Sequence, residues 1–133
     1  MKIAAKTVYE ATPILAAVIN QDRPMPQKGK YRIARLHAKL YPEWRLLEDR
    51  RESILAAYRV STVVKNEDGS EGTLTAIPDD QLPTAEAEWL AILSTEIDLD
   101  VEPIPLAAVD LGDNTNGSLS AQDLMSLGDL VAA

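Results

Sequence analysis

The chain contains no cysteine, a single histidine and, beyond residue 65, no lysine or arginine. The absence of cysteine excludes a disulfide framework, a thiolate metal site and a cysteine nucleophile. The lone histidine, His37, lies between Arg35 and Lys39 in a helical stretch, and no Gly-x-Ser-x-Gly elbow accompanies it. A Ser-His-Asp triad therefore lacks its frame, and His37 reads as a surface or boundary residue. Long apolar runs are missing too. A stretch such as Ile14 to Ile19 falls far short of the roughly 20 residues a membrane helix needs. A glycine-rich phosphate loop, a dinucleotide fingerprint and a kinase motif are likewise absent. Residues Met1 to Lys6 begin like a signal peptide, but Tyr9, Glu10 and Pro13 interrupt any apolar core. That segment reads as mature chain of a cytosolic protein.

What is present suits one domain: 133 residues, 46% of them hydrophobic, enough for a real core. The net charge of −8 is unevenly placed. Residues 1–65 carry 13 basic and six acidic side chains, a net +7, and residues 66–133 carry 15 acidic and no basic ones, a net −15. An acidic half so close to the basic one disfavours nucleic acid, whose phosphates need clustered cations. The polarity favours pairing between the halves, within one chain or between copies.

The hydrophobic pattern predicts a short helix from Pro13 to about Asn20, with Thr12 as N-cap. A basic helix is expected from Gly29 to Leu40, burying Ile33, Leu36 and Leu40 at spacings of three and four. Pro42 disfavours helical geometry at Tyr41, so a break or kink is expected there, with a second helix from Pro42 to about Arg59. Val60–Lys65 and Thr73–Ile77 form a β-hairpin around Asp68-Gly69. A helix from Pro83 to Ser94 follows, and then a strictly alternating strand from Glu96 to Glu102, closed by Pro103 and Pro105. Gly112 to Gly117 reads as a linker, and Ser118 or Ser120 caps a last short helix. The expected fold class is α+β: two or three packed helices with a small antiparallel sheet that includes the hairpin. Residues 1–111 form that domain, and residues 112–133 are a polar linker with a short C-terminal helix.

Two charged sets are candidate protein-interaction residues. Lys28, Lys30, Arg32, Arg35 and Lys39, with Tyr31 among them, form a basic stripe. Glu96, Asp98, Asp100 and Glu102 share one strand face, opposite Ile97, Leu99 and Val101. Alternate strand residues lie about 6.6–6.8 Å apart, loose for one metal ion, and nothing singles out a catalytic pair. Such a face is more simply a solvated edge or a protein-binding strip. Gly112–Asp123 has the spacing of a calcium loop, with Gly117 at the obligatory glycine. Glycine stands at its first position, however, and the twelfth ligand is shortened to Asp123. No metal or cofactor is expected.

The order of motifs resembles a family. A basic helix precedes Pro42-Glu43-Trp44-Arg45-Leu46-Leu47-Glu48 and Arg51-Glu52-Ser53-Ile54-Leu55-Ala56-Ala57-Tyr58. A hairpin separates these from Ala87-Glu88-Trp89-Leu90-Ala91-Ile92-Leu93, Glu96-Ile97-Asp98-Leu99 and Pro103-Ile104-Pro105-Leu106. Over roughly residues 30–106 this resembles small proteins encoded by tailed phages and prophages. The resemblance implies a non-enzymatic protein of particle or tail assembly, a virion component or assembly chaperone, with no transferable active site. Its partners are then copies of itself or other phage proteins, in the host cytoplasm or the virion. The alternative is an acidic inhibitor or decoy of a host nucleic-acid-binding or defence protein. An enzyme using carboxylates, with or without a metal, is a third reading.

Overall fold

The computed structural model describes residues 1–21, 25–106 and 119–132. The order is β1 (Lys2–Ala4), α1 (Ala5–Asn20), α2 (Gln27–Tyr58), β2 (Val60–Lys65), β3 (Glu71–Ala76), α3 (Leu82–Leu93), β4 (Glu96–Asp98), β5 (Ile104–Pro105), α4 (Ala121–Leu127), a 3-10 turn (Gly128–Leu130) and β6 (Val131–Ala132). This is the expected α+β class. The strands form three two-stranded ladders rather than one sheet: β1 with β4, β2 with β3, and β5 with β6. The first two are antiparallel, and the third is parallel.

The core lies where α1 crosses α2. Ala5, Val8, Ala11, Thr12, Leu15 and Val18 recur every three or four residues, so one face of α1 is buried. Gly29, Ile33, Leu36, Leu40 and Leu47 do the same on α2. Ile3, Met25, Ile104, Leu127 and Leu130 close the cluster from the strands and the C-terminal segment.

Both internal prolines correct the sequence-based boundaries. α1 starts eight residues before Pro13 and runs through it. Thr12 is not a cap. It is buried mid-helix, and its hydroxyl donates to the Val8 carbonyl at 2.7 Å. α2 is one helix of 32 residues with Pro42 inside it, about 48 Å long, rather than two helices separated by a break. Pro13 and Pro42 both lie on exposed faces. A carbonyl left without its N–H partner there can be hydrated, so each proline costs less than it would in the core. Leu36, Leu40 and Leu47 keep the same buried face across Pro42, and their packing holds the helix continuous.

The hairpin forms as expected, with pairs from Val60↔Ala76 to Lys65↔Glu71. Gly69 at its tip adopts φ 83°, a region that favours glycine. The alternating strand is shorter than its pattern suggested. Pairing to β1 covers only Glu96 to Asp98, because the Val101 N–H bonds the Leu99 carbonyl at 2.9 Å and turns the chain at Asp100. Ile97, Leu99 and Val101 still pack against the core, while the four carboxylates are exposed. The β1 strand was not foreseen: Ile3 is buried and pairs with Ile97. Ser120 caps α4 as expected. It receives the Asp123 N–H, and the Asp123 carboxylate receives the Ser120 N–H. Leu127 and Leu130 belong to the same core as α1 and α2. Among the described residues no helix is long and apolar enough to cross a membrane.

Candidate interaction groove

α2 forms one wall of an open groove of about 750 Å³. Lys28, Arg32, Arg35 and Lys39 line that wall at positions i, i+4, i+7 and i+11, one stripe of the helix. Tyr31, 67% exposed, stands among them. The opposite wall is the segment from Asp100 to Ile104 that follows the turn after β4. It contributes Asp100 and Glu102, both exposed, with buried Ile104 at the floor. Ile104 is fixed by its pairing with Val131, so the C-terminal segment braces this wall.

The groove therefore joins four of the five predicted basic residues and two of the four predicted acidic ones. Lys30 points elsewhere, into a smaller depression of about 320 Å³ beside Val18 and Ile19. Glu96 and Asp98 stay on β4. Asp98 lies opposite Lys2 and within 3.5 Å of the Met1 ammonium, so its charge is met locally. The alternation that grouped the four carboxylates on one face carried no information about the turn at Asp100, which separates the second pair from the first.

The groove's cations are unusually bare. Among the described residues, Lys28, Arg32, Arg35 and Lys39 form no ion pair, and neither do Asp100 and Glu102 across from them. Ion pairs further along α2 join Arg45 to Asp49 at 3.8 Å and Arg51 to Glu48 at 4.0 Å and to Glu52 at 3.7 Å. Three successive like-charged neighbours at spacings of three and four destabilise a helix by about 0.2–0.5 kcal/mol each. The stripe thus costs the isolated chain about 1 kcal/mol, and a bound anion relieves it.

His37 is half-buried and stacks beside Tyr41, with ring centroids 5.7 Å apart. Tyr41 in turn stacks on Trp44 at 5.8 Å. Among the described residues no three His, Cys, Asp or Glu side chains cluster so as to hold a metal. Most of the calcium-like loop, residues 112–118, lies outside the described residues. Asp123, at its twelfth position, serves in the α4 cap.

No protein family, curated protein or solved structure matches this chain. The groove must be read from its own chemistry. It can hold an extended or turn-shaped acidic segment against four cations, with Tyr31 offering an aromatic face. Asp100 and Glu102 oppose a ligand of uniform negative charge and suit one with a cation beside its carboxylates.

Proposed function

We propose that this protein is a non-enzymatic assembly component that works through protein–protein contacts, between its own copies and with other proteins of a tailed-phage particle or its assembly. The supporting observation is the groove. Four cations on α2 form no ion pair among the described residues, in a chain whose residues 66–133 supply a net −15. Four cations against two acids leave the groove net positive, so an acidic surface of a second copy is its complementary partner. The phage setting rests on the resemblance over roughly residues 30–106. A decoy for a basic surface uses only acids and leaves the four cations of the groove without a role.

Two measurements test this reading. Light scattering across protein concentration is expected to show oligomers at about 0.1 M salt that dissociate at about 1 M, as the screening length falls from roughly 10 Å to roughly 3 Å. A monomer at both salts, at every concentration, refutes self-association. Mass spectrometry of particles and assembly intermediates from an induced lysogen carrying the gene is expected to find the chain. Its absence from all of them removes the assembly role.

A further inference from the structure

The β2–β3 hairpin projects from the body with neither face covered. Of its twelve paired residues only Val64 and Gly72 are partly buried, and Val60, Val63 and Leu74 are 52%, 67% and 57% exposed. Six residues per strand give the arm a reach of about 20 Å. A lone two-stranded hairpin is marginal in water, so an arm of this length gains stability by docking on something. Its tip is already ordered. The Asn66 N–H bonds the Ser70 carbonyl at 2.8 Å, and Asp68 accepts from both the Ser70 hydroxyl and N–H, at 2.6 and 3.0 Å. A preformed turn loses little freedom on binding.

The tip is acidic. Glu67, Asp68 and Glu71 surround it, with Lys65 the nearby base. Other acids are engaged: Asp98 with the Met1 ammonium, Glu88 with the Tyr58 hydroxyl, and Glu48, Asp49 and Glu52 with arginines. Glu67 and Glu71 form no ion pair among the described residues.

We infer that the acidic tip of this hairpin inserts into the α2 groove of a second copy, with Glu67 and Glu71 meeting Arg32 and Arg35. The inference rests on the self-association reading and names the segment that carries it. Lys65 beside the tip gives Asp100 and Glu102 a partner, which accounts for two acids on an otherwise basic groove. Tip and groove are different surfaces, so the contact is head-to-tail and builds rings or open filaments.

Charge exchange between two variants tests it. Arg32→Glu/Arg35→Glu reverses the groove, and Glu67→Lys/Glu71→Lys reverses the tip; all four residues are exposed. Each variant alone sets like charge against like, and its dissociation constant is expected to rise more than about tenfold, leaving monomer in light scattering. Mixed in equal amounts, every tip meets a groove of opposite sign, and oligomers are expected to return. Monomers that persist in the mixture overturn the inference. Oligomers retained by the tip variant but lost by the groove variant also overturn it, while leaving self-association standing. A wild-type chain that is monomeric at low salt overturns both, and groove-dependent retention on immobilised RNA in that case assigns the groove to nucleic acid. Should a reversed variant lose its helical circular dichroism, Arg32→Gln/Arg35→Gln and Glu67→Gln/Glu71→Gln replace the pair. Each neutral variant is then expected to weaken association, and unchanged association of the tip variant overturns the inference.

Discussion

Tyr9 ties three helices together through one side chain. Its hydroxyl donates a short hydrogen bond to Glu48 on α2, and its ring meets Trp89 of α3 edge-on at 5.0 Å. Burial, and then the hydrogen bond to the Glu48 carboxylate, push its pKa above the ordinary value. A raised native pKa means the folded state holds the proton more tightly than the unfolded chain does. The stabilisation is complete below the ordinary tyrosine pKa of about 10 and is lost as pH rises through the native value. Tyr9→Phe is expected to cost about 1 kcal/mol near pH 7. It is also expected to flatten the loss of stability above about pH 10. Urea unfolding at a series of pH values measures both, and an unchanged alkaline limb refutes the assignment. Leu40 makes a different contribution, as a fully buried side chain at the α1–α2 crossing. Leu40→Ala is expected to cost about 2–5 kcal/mol through lost transfer energy and the cavity left behind. The periodicity of Ile33, Leu36 and Leu40 made this core face readable in advance. Tyr9 was not readable so, because its partners lie 39 and 80 positions away in sequence.

At the scale of elements, Pro42 offers the sharpest test. Proline in a helix interior costs about 3 kcal/mol relative to alanine, through a lost hydrogen bond and a clash with the preceding turn. Part of that is recovered because proline also restricts the unfolded chain. Pro42 is exposed and the buried stripe continues past it. Pro42→Ala is therefore expected to stabilise the protein by about 1–2 kcal/mol, read as a shift in the urea midpoint at unchanged slope. A loss of stability instead means the backbone geometry that proline imposes at position 42 is needed for packing. The reading from local rules placed a break at this proline, although the seven-residue step from Leu40 to Leu47 already held the same face on both sides of it. The capping box at α4 shows the opposite case, because Ser120 and Asp123 act within one turn and were legible. Ser120→Ala is expected to cost about 1 kcal/mol. The hairpin too was legible from Asp68-Gly69 and the β-branched run before it. Its lack of cover was not, since exposure of both faces depends on what the rest of the chain leaves unpacked.

The whole molecule couples its charged groove to its C-terminal segment. The groove wall at Ile104 is held by β6, and β6 follows directly on Leu130, which is fully buried beside α1 and α2. The charge polarity was visible along the sequence, and it singled out the basic stripe of α2. The wall facing that stripe was not visible, because a parallel pairing between residues 104 and 131 leaves no local trace. Leu130→Ala removes a side chain at the base of this brace and is expected to cost about 2–5 kcal/mol globally. The loss should also be uneven. Local opening draws on the least stable units first, so amide exchange is expected to accelerate most around residues 104–105 and 131–132, ahead of α1 and α2. If the brace positions the groove, the same variant weakens self-association under conditions where its helices remain intact by circular dichroism. Uniform acceleration across all helices, with association unchanged while folded, would show that the C-terminal segment only adds to the core and leaves the groove to stand on α2 alone.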